Sequence, residues 1–404
     1  MESTDRHDSS RPRRPRRRLS ARRRALFAAA LAGMVVATGL LMAEAAARLA
    51  LARMLRADLQ TLSEQVYDDP AVEIGYLQLI QAVDNDDLVY KMKPGTDARL
   101  LGHRVRINSH SMRDREIGPR PEDGLRIIFL GDSHTFGWGI AQEQTMPRIL
   151  EWSLGGPVER PIEVFNAGVP GYNALMEAEW LELELLDLEP DALVVQFCLN
   201  DALLPGMLWD RPYLTRFDRS YLPDLVKLLR APRDNVFEIP DVPFVSTEPG
   251  VYLMDESLAP ARYRHHMGWE AIEEAWTRMA RLCRERGIPM IAVLVIEVAW
   301  EDLDADLEAL PHYAQFKELC DRLGVPVVDP YVAARELADR HGMRSADLTV
   351  DPPANLHANE LGNLLYIRLL LPVLAGMVDG LDGSVDEARA RIDARLQRVI
   401  DARP

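Results

Sequence analysis

The residues of this 404-residue chain best suited to act together are Ser133, His357 and a few hydrogen-bond donors between them. Ser133 stands in Leu130-Gly131-Asp132-Ser133-His134-Thr135-Phe136-Gly137-Trp138-Gly139, directly after the apolar run Leu125 to Leu130. A serine closing a buried strand, on a turn that glycines allow to bend sharply, projects its hydroxyl from the rim of a sheet. A nucleophile belongs there. The helix expected from about Gln142 would aim its free N–H groups and positive dipole end at the same spot, which suits a developing oxyanion. Gly-Asp-Ser is also a common turn tripeptide, so the extended pattern GDSxTxGxG carries more than the triplet.

Two later strand ends offer donors. The first closes in Phe165-Asn166-Ala167-Gly168-Val169-Pro170-Gly171, where the Gly168 N–H could approach a substrate or belong to an ordinary strand-to-helix turn. The second closes in Phe197-Cys198-Leu199-Asn200-Asp201, where the Asn200 amide would share the rim with Ser133 or merely cap a loop. Of the nine histidines, most fall in the N-terminal tail, the cap, the insertion or on outlying helices. His134 neighbours the serine and is expected to point elsewhere, because adjacent side chains diverge. His357, in Asp351-Pro352-Pro353-Ala354-Asn355-Leu356-His357-Ala358-Asn359, opens the last long helix and is left as the base.

On these blocks the chain resembles the SGNH, or GDSL, hydrolase superfamily. The resemblance implies that Ser133 is the nucleophile and His357 the base, and that the Ser133 N–H, the Gly168 N–H and the Asn200 side chain form the oxyanion hole. It departs from the family in two places. The usual Gly-x-Asn-Asp reads Cys198-Leu199-Asn200-Asp201, and the acid normally three residues before the histidine is Ala354. Asp351 is the nearest substitute and Asp329 a second candidate. The reaction implied is hydrolysis of carboxylic esters, as an esterase or carbohydrate O-deacetylase. The alternatives are an O-acyltransferase with the same site and a non-catalytic, membrane-tethered binding protein.

The elements that must position these residues read as an α/β fold. Short apolar runs at Arg126–Leu130, Glu163–Asn166, Ala192–Phe197, Met290–Ile296 and Pro326–Val328 alternate with helix-length segments near 142–154, 174–187, 268–286, 305–323, 331–340 and 360–378. That alternation predicts a three-layer α/β/α sandwich around a five-stranded parallel sheet, flavodoxin-like in its winding. An insertion from 201 to 265, rich in proline and aromatic residues, falls at the functional rim and reads as a lid or binding loop.

Ahead of this domain, residues 1–24 form a basic tail with ten arginines, and Ala25 to Ala43 runs nineteen residues without a charge. Such a run spans a hydrocarbon core, and the basic flank predicts a cytoplasmic tail with everything after about Glu44 on the far side. A cleaved signal peptide with secretion is the alternative. The expected organisation is therefore a tail (1–24), a transmembrane signal anchor (25–45), a connector and cap (46–120), the hydrolase-like domain (121–380) and a solvated C-terminal helix (381–404).

The net charge of −16, with the tail basic, leaves a strongly acidic body unsuited to nucleic acid. Three scattered cysteines make neither a disulfide framework nor a zinc site. With neither HExxH nor GxxxxGK[ST] present, no metal or other cofactor is expected. The expected partners are the membrane and an acylated small molecule or glycan.

Overall fold

The computed structural model describes residues 20–62, 65–206, 220–230, 244–245, 253–254, 261–296, 311–351 and 355–403. Its centre is a five-stranded parallel sheet of β1 (Leu125–Gly131), β2 (Ile162–Gly168), β3 (Ala192–Phe197), β4 (Met290–Leu294) and β5 (Val327–Val328). The spatial order is β5-β4-β3-β1-β2, the flavodoxin-like winding expected. β1, β3 and β4 are buried at every residue, as strands covered on both faces must be, which is why they read as largely apolar runs, interrupted only by Arg126 in β1 and Gln196 in β3.

Helices cover both faces. On one lie α4 (Ala174–Leu183), α5 (Gly268–Arg286) and α6 (Pro311–Leu323); on the other α3 (Met146–Leu154), α8 (Glu360–Ala375) and α9 (Val385–Asp401), with α7 (Tyr331–His341) following β5. Two helices depart from the expectation. The segment after Ser133 forms a separate single turn, α2 (Ser133–Phe136), well before α3 begins. The C-terminal helix is not solvated all round: Ala388, Ile392 and Leu396, four residues apart, are buried on one face.

At the N-terminus α1 (Ala21–Leu62) runs unbroken through the expected anchor boundary at residue 45. Its first 31 residues, Ala21–Leu51, are long and apolar enough to cross a membrane, a property shared by membrane spans and signal sequences. At the C-terminal end of that stretch Ala47 and Leu51 are fully buried, and Glu44 accepts hydrogen bonds from Ser220 Oγ (2.7 Å) and the Tyr221 N–H (3.0 Å). The cap is a three-stranded sheet, Asp68–Glu73, Asp97–Leu100 and His103–Arg106, plus the hairpin Ile80–Ala82 with Tyr90–Met92. Most of the 201–265 insertion, and so the lid expected there, lies outside the described residues.

Candidate active site

β1, β2 and β3 run parallel, so their carboxyl ends share one rim. At the end of β1 the backbone turns into α2, whose N-cap is Asp132: its Oδ1 accepts the His134 N–H at 2.8 Å. Gly137, at φ +87°, closes the turn, and the Gly137 and Trp138 N–H groups both return to the Ser133 carbonyl at 3.0 Å. The cap then locks this turn. Buried Arg113 donates to the carbonyls of Phe136 (3.0 Å), Gly137 (2.7 Å) and Ile140 (2.9 Å), and burial pushes its guanidinium down to about 10. Tyr76 and Tyr90 donate their hydroxyls to the Pro170 carbonyl in the loop after β2, at 2.9 and 2.8 Å.

His357 arrives on a hairpin, Thr349–Asp351 with Asn355–Ala358, standing at the head of α8. Asn359 fastens that hairpin. Its Oδ1 caps α8 through the Leu361 and Gly362 N–H groups, and its Nδ2 donates to the carbonyls of Asp347 and Thr349, both at 2.9 Å. The result is direct contact: His357 Nε2 lies 2.6 Å from Ser133 Oγ across 224 residues of chain. Burial first, then the neighbouring His134, pushes His357 down to about 3 against the opposing pull of Asp132. The imidazole is therefore neutral at neutral pH.

His134 does not point away as expected. Its ring stacks on His357 with centroids 4.4 Å apart and planes 30° apart, and burial pushes it also down to about 3. Nothing in the sequence flagged it, because divergence of neighbours along a turn says nothing about a third residue that can touch both.

Asn200 is at the rim, after β3. Its Nδ2 donates to Asp132 Oδ2 at 2.6 Å, and the Cys198 thiol lies 2.7 Å from Asn200 Oδ1 and 3.2 Å from Asp132 Oδ2. Gln196 supports the same turn, its Oε1 accepting from the Asp132 N–H (3.2 Å), the Thr135 N–H (3.3 Å) and Thr135 Oγ1 (3.2 Å). Beneath lies Glu177, wholly buried, neither carboxyl oxygen of which finds a hydrogen-bond partner among the described residues. Burial, Asp201 and Asp132 all push its carboxyl well above the usual range, so it is held protonated.

Gly168 is where the Ser133 turn meets β2. It is the last residue of β2, paired with Gly131, and its N–H donates to Asn166 Oδ1 at 3.0 Å. A Cβ there would stand 2.2 Å from the Phe136 nitrogen and 2.6 Å from the Thr135 carbonyl carbon, so the glycine is what lets the turn carrying Ser133 pack on β2. The Ser133 N–H takes no hydrogen-bond partner among the described residues.

Asp351 ends the strand that pairs with the His357 strand, its partner being Asn355; its side chain lies outside the described residues, as do residues 352–354 with Ala354. The second candidate acid, Asp329, is engaged elsewhere, in an ion pair with Lys317 and with the Tyr331 N–H (3.1 Å). Asp87, His265 and His266 come close enough together to suggest a cation. Both ring nitrogens of His266 are already used, Nε2 on the Asp86 carbonyl (2.7 Å) and Nδ1 beside the Asn173 amide (3.3 Å), so the group serves to tie insertion to cap.

A flavodoxin-like sheet with a serine and a histidine in contact at its carboxyl edge has the architecture of the SGNH hydrolases. The chain belongs to the GDSL-like lipase/acylhydrolase family, whose model matches residues 129–365. Solved structures similar to it include TesA, at 12% identity over 63% of this chain and 99% of that one, with a TM-score of 0.38. The acetyl xylan esterase AlAXEase is 14% identical over 62% and 100% of the two chains, TM-score 0.38. Axe2, an acetylxylan esterase from Geobacillus stearothermophilus, is 14% identical over 62% and 94%, TM-score 0.39. No curated protein matches the chain.

Proposed function

We propose that the chain is a serine-dependent hydrolase of carboxylic esters. The observation that carries this reading is the 2.6 Å contact between Ser133 Oγ and His357 Nε2, with the imidazole neutral. Ser133 Oγ attacks the acyl carbon while His357 takes the hydroxyl proton; the tetrahedral intermediate then collapses, and the alcohol leaves with that proton. Water, deprotonated by the same imidazole, attacks the acyl-serine, and the acid departs as Ser133 recovers its proton. A sugar hydroxyl in place of water would make the same cycle an acyl transfer.

The oxyanion would be met by the free Ser133 N–H and by the second amide hydrogen of Asn200, the first being held by Asp132. Gly168 can join only by exchanging Asn166 Oδ1 for the oxyanion. Gly171, in the loop after β2 and at φ +74°, has an N–H without a partner among the described residues and is the other glycine to test. Asp351 remains the acid proposed to orient His357, because it ends the neighbouring strand of the same hairpin. The substrate would be an acylated small molecule or glycan, met beyond the membrane if residues 25–43 stay in it with the arginines on the cytoplasmic side.

The test is hydrolysis of p-nitrophenyl acetate and labelling by a fluorophosphonate probe, using the full chain in detergent. Ester turnover and covalent modification at Ser133, both abolished in Ser133→Ala and in His357→Ala, support the reading. A folded parent chain that hydrolyses no ester, small or glycan-borne, and takes no probe overturns it in favour of the binding protein.

A further inference from the structure

Two rings flank His357. Trp138 stands 6.4 Å away between centroids, and His134 stands much closer, at 4.4 Å. His134 is 6% exposed and belongs to the same helical turn as Ser133. Successive residues on such a turn point about 100° apart, so one turn can present Ser133 Oγ to the edge of the imidazole and His134 to its face. The torsion that spins a histidine ring about its Cβ–Cγ bond has broad, roughly two-fold minima, so the ring needs an external surface to fix its plane.

We propose that His134 is a positioning residue for the Ser133–His357 pair. Its buried imidazole, stacked on the base, sets the plane in which Nε2 meets Ser133 Oγ and keeps that face of the ring dry. The inference rests on the proposed hydrolase reading for its consequence in catalysis, though not for the stack itself. Among the described residues, His134 and Asp132, both from the turn that carries Ser133, are the titratable groups that act on His357. On its own hairpin the paired strand ends in Asp351. Among these His134 is the one that covers the ring. Phenylalanine would keep that cover and lose the polar atoms; alanine would lose the cover and admit water.

The test compares His134→Ala with His134→Phe in the full chain, after circular dichroism shows both folded. The first readout is the NMR titration of the His357 ring, assigned by its loss in His357→Gln. The second is the rate of fluorophosphonate labelling at Ser133. In His134→Ala the His357 titration should move up by at least about one pH unit, as solvent reaches the ring. Labelling should slow about tenfold, at the modest end of what a misplaced general base costs. His134→Phe should restore both to near the parent. An unmoved His357 titration in His134→Ala overturns the proposal, as does a folded His134→Phe that behaves like His134→Ala. Because the titration needs no turnover, it tests the stack even in a chain that proves not to be a hydrolase.

Discussion

Asp132 and Asn200, from the ends of β1 and β3, are joined by a 2.6 Å hydrogen bond from the asparagine amide to a fully buried carboxylate oxygen. The contact ties the N-cap of the Ser133 turn to the neighbouring strand, so the amide proposed to meet the oxyanion also holds Ser133 in place. Truncating Asn200 to alanine removes a donor from the buried Asp132 side chain, which costs about 1–3 kcal/mol. Urea melts of Asn200→Ala should register that loss. Ester kinetics should show kcat down by about 10²–10³ with KM little changed, the usual cost of deleting one oxyanion donor.

Gly168→Ala should destabilise the fold by about 1–3 kcal/mol, the range for overpacking, because its methyl meets backbone atoms that cannot swing aside. As those atoms belong to α2, fluorophosphonate labelling of Ser133 should slow in parallel with the drop in melting temperature. An alanine variant as stable and as reactive as the parent would show that β2 and α2 can separate freely.

Acid should unfold the protein early. His134 and His357 are held down to about 3 and His266 to about 4, each chiefly by burial, against an unfolded value near 6.5. Between those values the unfolded chain binds more protons than the folded one, so stability rises with pH and is lost as pH falls below about 6.5. Each group contributes at most about 1.4 kcal/mol per pH unit across that window. Thermal melts at pH 7.5, 6 and 5 should fall progressively, while activity per folded molecule keeps its neutral base through the same range.

Glu177→Gln should raise the melting temperature, and more at pH 8 than at pH 5. The raised folded pKa means that Glu177 carries a proton the unfolded chain sheds above about 4.5, so its burial costs stability increasingly as pH rises. Glutamine keeps the shape and removes that dependence. Melts of the two proteins across this range, compared pair by pair, give the answer directly.

Much of the frame was legible because parallel strands covered on both faces are mostly apolar, as Leu125–Gly131 and Ala192–Phe197 are but for Arg126 and Gln196. Ser133 and His357 could be named from their blocks, since spacing carries that information. The use of Gly168 could not: what a glycine makes room for depends on which backbone comes near it, here Thr135 and Phe136 from another segment. The role of Arg113 was hidden in the same way, its three carbonyl partners lying 23 to 27 residues away in the nucleophile's turn and the loop after it. That α1 runs on past Glu44 was legible too, because its apolar helix pattern continues through Leu49, Leu51 and Met54. The buried stripe of α9 was spelled out at Ala388, Ile392 and Leu396, but the surrounding charges masked it.

The course of α1 also governs how the hydrolase domain is carried. Ala47 and Leu51 lie four and eight residues past Ala43, about 6 and 12 Å along a helix, and both are already packed into the body. Glu44 and Arg48 grip Ser220 and Tyr221 at the same level, the guanidinium lying 4.6 Å above the tyrosine ring. A domain mounted so close to the end of its apolar stem hangs from a stiff bracket and not from a leash. If residues 25–43 stay in a membrane, the rim carrying Ser133 and His357 would ride close above its surface instead of swinging on a tether.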